Sequence, residues 1–96
     1  MNANYVAGRA KEYQVKHQLE KAGYTVFRMA GSHGVCDLIA IDANQVLLIQ
    51  VKRSSGSYKI SDEDKITFKG VAVPSSVIKE IWTYTKGVKN PFIERI

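Results

Sequence analysis

Apolar positions along the first twenty residues follow a helical spacing. Glu12, Val15, Leu19 and Ala22 fall on one face at intervals of three, four and three, so a helix is predicted from about Tyr5 to Ala22, closed by Gly23. The period then changes. Tyr24 to Met29 is rich in β-branched and aromatic residues and reads as a strand. After a loop of small residues, 30–34, the apolar runs Val35 to Ile41 and Val46 to about Arg53 flank a turn at Ala43-Asn44, the pattern of a hairpin. Ser54-Ser55-Gly56-Ser57 is a connection. Ser61 opens a second, short helix, with Asp64 at the capping-box spacing and Asp62, Glu63 and Asp64 at the positive end of its dipole, ending near Gly70. Ile78 to Thr85 has strand composition, with Trp82 and Tyr84 on a face that reads as core or dimer contact. Lys86 to Pro91 is a turn, and Phe92 to Ile96 can add an edge strand. The order is α-β-β-β-α-β, with room for one more strand: a small mixed α/β sandwich around a central sheet. No repeat or linker divides residues 1–96, which read as a single domain.

Polar side chains interrupt the hairpin at matching places. Counting back from the turn, an antiparallel register pairs Asp42 with Gln45, Ile41 with Val46 and Asp37 with Gln50. Directly opposed residues share a face, with Cβ atoms roughly 4.5–5.5 Å apart. Lys52, two residues beyond Gln50, joins them by the period of the pleat. An acid, an amide and a lysine are thereby gathered by two short strands. Burying such charges costs several kcal/mol or more unless they are paired or bind an ion. This cluster is the candidate working site.

Charge adds a partner. The chain carries 14 Lys and Arg against 9 Asp and Glu, a net charge of +5, which suits a polyanion such as nucleic acid. No apolar run approaches the roughly 18 residues that span a membrane, and no signal peptide is evident at the N-terminus. The single cysteine, Cys36, cannot form an internal disulfide and reads as a buried structural thiol. An intracellular, cytoplasmic setting fits.

Oxygen ligands beside a lysine suit phosphodiester hydrolysis. A hard ion such as Mg²⁺ accepts carboxylate, amide and carbonyl oxygens, here Asp37, Gln50 and the Val51 carbonyl. It lowers the pKa of a bound water and stabilises charge on the phosphate. Lys52 would position that water, help deprotonate it, or neutralise developing charge. Arg9, Lys11, Arg28, Arg53 and Lys59 would form a basic rim for the phosphate backbone, with His33 a phosphate contact. The bland alternatives are an i,i+4 pair of Glu12 with Lys16, and a purely turning role for Ser32 and His33 between Gly31 and Gly34.

With these residues in place the chain resembles the PD-(D/E)xK nuclease superfamily, and within it the archaeal-type Holliday-junction resolvases. The resemblance runs through Arg28-Met29-Ala30-Gly31-Ser32, Asp37-Leu38-Ile39-Ala40 and Ile49-Gln50-Val51-Lys52, and extends to Gly8 and Glu12, spaced four apart on the first helix. It covers residues 8–53. It implies a small restriction-endonuclease-like fold and an endonuclease dependent on Mg²⁺ (or Mn²⁺), usually a homodimer, that cuts branched DNA. It also implies roles: Asp37 as central metal ligand, Lys52 as catalytic lysine, Glu12 as an auxiliary acid and metal ligand, and Ser32 near the scissile phosphate.

Three features depart from that family. Gln50 stands where its second acid is expected, Tyr13 where a basic residue is usual, and the segment after Lys52 is short. Gln50 leaves three readings open: a natural variant compensated by Glu12, an engineered change, or a protein that binds DNA without cutting it. A nuclease acting on another DNA or RNA is a further alternative.

Overall fold

The structure, a computed structural model, describes residues 3–29, 36–54 and 62–96. Its elements are α1 (Ala3–Lys21), β1 (Thr25–Arg28), β2 (Leu38–Ile41), β3 (Val46–Ser54), α2 (Asp62–Lys69), β4 (Val77–Thr85) and β5 (Phe92–Arg95). The expected order is present, closed by the additional strand. The strands form one five-stranded sheet in the order β1-β2-β3-β4-β5. Only β3 and β4 run parallel, joined by the crossover that contains α2; the other neighbours are antiparallel. Gly23, at φ 101°, ends α1, and the Tyr24 amide donates back to the Leu19 carbonyl. Ala22, expected on the buried stripe, is instead an exposed residue of that terminal turn.

The sheet has two differently occupied faces. Val15 and Leu19 of α1 bury against Val26, Leu38, Ala40, Leu47, Ile49, Trp82 and Tyr84, with Val51 and Ile78 at the margin. Trp82 and Tyr84 are thus core residues of the α1 face. Ile81 and Phe68 of α2 are fully buried but lie outside that cluster, and alternation along β4 puts Ile81 on the opposite face. Alternation likewise assigns Leu48, Gln50 and Lys52 to this α2 face.

Two lysines tie α2 down. Lys65 pairs with Glu94 on β5. Lys79 is buried and its Nζ donates to the carbonyls of Lys69 and Val71, at 2.7 and 2.5 Å, where the helix runs out of internal partners. Lys79→Ala is expected to lower stability by about 2–3 kcal/mol, because two part-buried carbonyls lose a charged donor and a buried side chain is removed. Urea unfolding reads the change, and an unaltered midpoint would contradict this account of how α2 is held.

The β2–β3 turn sets the register. Asp42 Oδ1 accepts from the amides of Asn44 (2.8 Å) and Gln45 (2.9 Å), closing an Asx turn that pairs Ile41 with Val46 as expected. Among the described residues no helix is long and apolar enough to cross a membrane.

Candidate active site

Asp37 departs from its expected place. The regular ladder begins at Leu38, opposite Ile49, and Asp37 is the residue before it. Its amide donates to the Ile49 carbonyl at 2.8 Å, one position out of step with the ladder, and its carbonyl accepts from Met29 at 2.8 Å. Its carboxylate does not simply stand over Gln50: Oδ2 accepts the Val51 amide at 2.8 Å. In the hairpin register Val51 falls opposite position 36, so the side chain takes the place of a main-chain carbonyl. The ladder ends on a carboxylate. Cys36, expected in the strand, lies just outside it and is half-buried; burial and then the Asp37 charge push its thiol pKa up.

Burial raises the Asp37 pKa. Three nearby groups oppose the rise: the Val51 N–H first, then the charges of Lys52 and Arg28. Lys52 and Arg28 therefore both lie within electrostatic reach of this carboxylate. Lys52 is half-buried on β3, facing Thr83 of β4 in the register.

Gln50 lies on β3, two residues before Lys52 and beside Ile81 of β4. Its Oε1 is shut off from water and has no hydrogen-bond partner among the described residues. An amide oxygen left so costs about 1–3 kcal/mol. Among the described residues it is an acceptor without a donor, on the strand whose Val51 amide donates to Asp37, and an oxygen of this kind is a ligand a hard cation accepts.

Glu12 reaches the site through Arg28. Sixteen positions apart, they form a half-buried ion pair, Arg28 Nε to Glu12 Oε1 at 3.0 Å. Arg28 also stacks over the Tyr13 ring, 5.0 Å from its centroid. One guanidinium thus couples the α1 acid to Asp37. Sequence reading assigned Arg28 to a DNA-binding rim, because nothing local shows that α1 folds Glu12 and Tyr13 against the end of β1. Removing this charge, as in Arg28→Met, is expected to raise the Asp37 pKa further. Carboxyl-carbon NMR titration would show it, and an unmoved titration would break the link.

The remaining candidates divide. Ser32, His33 and Lys59 lie outside the described residues, as does the side chain of Arg9. Lys11 lies over the Tyr84 ring, and Arg53 is exposed near it. Among the described residues no group of three or more His, Cys, Asp or Glu could hold a metal ion. A cation here would depend on one carboxylate, Asp37, with neutral oxygens from Gln50 and the Val51 main chain.

A model of the archaeal Holliday junction resolvase (Hjc) family matches residues 3–69, which contain α1, the hairpin and α2. The crossover junction endodeoxyribonuclease Hjc of Methanocaldococcus jannaschii is 43% identical over 65 residues, covering 67% of this chain and 48% of that protein. The chain thus spans about half the length of this curated relative. The structure of Archaeoglobus fulgidus Hjc, a Holliday junction resolvase from an archaeal hyperthermophile, matches with a TM-score of 0.66 at 23% identity, over 90% of this chain and 73% of that one. That likeness shows the fold, a mixed α/β sheet with flanking helices. On the family match over residues 3–69, the chain belongs to the archaeal Holliday junction resolvase family.

Proposed function

We propose that this chain is a divalent-metal-dependent DNA endonuclease acting on four-way junctions as a homodimer. The observation that carries the reading is the buried Gln50 oxygen, without a partner among the described residues, on the strand whose Val51 amide donates to Asp37, with Lys52 in electrostatic reach of that carboxylate. Asp37, Gln50 Oε1 and the Val51 carbonyl would hold the ion, Mg²⁺ or Mn²⁺. When bound it would supply a water of lowered pKa and a counter-charge for the phosphate oxygens. The Lys52 ammonium would neutralise the charge that develops at phosphorus as water attacks and the P–O bond breaks. Arg28 would hold Glu12 and Asp37 in register. Ser32 is proposed beside the scissile phosphate, and Arg9, Lys11, His33, Arg53 and Lys59 as contacts to the flanking backbone. A two-fold dimer would present two such centres to two strands, as symmetric junction cleavage requires.

A second reading has its own support. With Gln50 in place of an acid, the described residues offer one carboxylate where two would bind more tightly. A domain that binds branched DNA without cutting it would look the same. Incubating the protein with four-way junction, duplex and single-stranded DNA, each with Mg²⁺ and with Mn²⁺, separates the two. The nuclease reading expects metal-dependent nicks in the junction above those in the linear controls. Tight junction binding with no cleavage in either metal, and cleavage appearing in Gln50→Glu, would establish the binding module instead.

A further inference from the structure

A polar cavity lies away from Gln50 and Lys52. β3 and β4 run parallel and finish together, Arg53 facing Tyr84 and Ser54 facing Thr85. Outside these carboxyl ends, where open α/β sheets place their ligands, a cavity of about 210 Å³ is lined by Lys11, Arg53, Tyr84 and the turn 85–88. Strand alternation puts Arg53 and Tyr84 on the α1 face, opposite Lys52. The cavity is therefore separate from the proposed hydrolytic centre.

Its lining is suited to one class of ligand. Lys11, Arg53 and Lys86 supply three cations, and among the described residues no acidic side chain lines the cavity. The Lys11 ammonium lies 4.8 Å from the centroid of the Tyr84 ring. Tyr84 is only 3% exposed, and its hydroxyl has no hydrogen-bond partner among the described residues. Burial pushes the phenol pKa up, which keeps it a donor. Gly87, at φ 83°, turns the chain back at the cavity edge. Cations converging without a counter-charge repel one another, and a buried donor without an acceptor is costly. An oxyanion would relieve both.

We propose that this cavity is a second phosphate site, which takes a backbone phosphate of the bound DNA other than the one that is cut. This rests on the DNA-binding part of the function proposed above but not on cleavage. Lys and Arg are the usual partners of backbone phosphates, and tyrosine hydroxyls supply further bonds. Such a contact positions the duplex arm without reading its sequence. Lys11 and Arg53 lie within residues 3–69 and Tyr84, Thr85 and Lys86 beyond them, so the site joins the matched segment to the C-terminal strand and turn.

The test measures binding in EDTA, where cleavage plays no part. Affinity for a four-way junction is followed against salt concentration for wild type, Lys86→Ala and Tyr84→Phe, with folding of each checked by circular dichroism. In parallel, a short DNA duplex and inorganic phosphate are each titrated into labelled protein while the Gly87 and Val88 amides are watched by NMR. Lys86→Ala is expected to weaken binding roughly three- to tenfold and to lower the salt slope by about one. Tyr84→Phe is expected to weaken binding at an unchanged slope, and the duplex should shift both amides. Wild-type affinity and slope in Lys86→Ala would overturn the proposal, as would amides that move with inorganic phosphate and not with DNA. A protein that binds in this way yet never cuts would remove the nuclease reading and leave the phosphate site standing.

Discussion

Asp37→Asn is expected to abolish junction cleavage, by on the order of 10³-fold or more, while making the metal-free protein more stable. Both effects have one cause. Asp37 is held half-buried with its pKa raised by desolvation, so its ionised form is disfavoured in the folded chain. A carboxyl whose folded pKa exceeds its unfolded one adds stability in acid, below the unfolded pKa. It gives that stability up as pH rises through the folded pKa. At neutral pH the charged side chain is therefore a burden, one tolerated for the cation it would hold. The asparagine removes the charge and keeps an oxygen to accept the Val51 amide. A gain of about 0.5–1 kcal/mol follows, of the kind commonly found when a functional group is removed. For a domain of this size that is a rise of roughly 2–6 °C in Tm. Junction binding without metal should survive the change. Calorimetry at pH 5 and pH 8 reads the stability: the gain should be larger at pH 8. A variant less stable than wild type at pH 8 would mean that the carboxylate is a structural element of the hairpin end and not a poised ligand.

Gln50→Glu has the opposite signature. A second carboxylate beside Asp37 would strengthen divalent-cation affinity by on the order of 10- to 100-fold, since each added charge deepens the attraction in a half-buried site. Without metal the like charges repel and the new carboxylate is desolvated, at a cost of about 1–3 kcal/mol. The variant should therefore unfold earlier than wild type in EDTA and recover, or exceed it, in millimolar Mg²⁺. The Mg²⁺ concentration giving half-maximal cleavage should fall correspondingly. An unchanged Mg²⁺ dependence would show that position 50 takes no part in holding the ion, and that its buried oxygen is merely an imperfectly satisfied amide.

The hairpin was the most legible part of the chain. A turn at Ala43-Asn44 and two runs of alternating side chains are local signals, and they placed Ile41 against Val46 and put Gln50 and Lys52 on one face. The α1 stripe was equally local through Val15 and Leu19. What escaped were effects of tertiary placement. Asp37 breaks step with the ladder because its side chain, rather than a main-chain carbonyl, satisfies Val51. No periodicity records such a substitution. Arg28 looked like one more surface cation, and only the packing of α1 on β1 brings Glu12, Tyr13 and Asp37 around it. Tyr84 reads from the sequence as core or dimer contact and proves to be core, but the cations that line the cavity beside it come from α1, β3 and the β4–β5 turn, far apart in the chain. Lys86 carried no signal of its own beyond a turn.

The central claim is that the end of this hairpin holds a divalent cation through Asp37, Gln50 and the Val51 main chain. Substoichiometric Mn²⁺ tests it directly, since its paramagnetism broadens the NMR signals of nearby nuclei. In wild-type protein the broadening should centre on the Val51 amide and the Gln50 side-chain amide, and it should vanish from both in Asp37→Asn. Broadening that centres elsewhere, or that persists unchanged in Asp37→Asn, would contradict the claim.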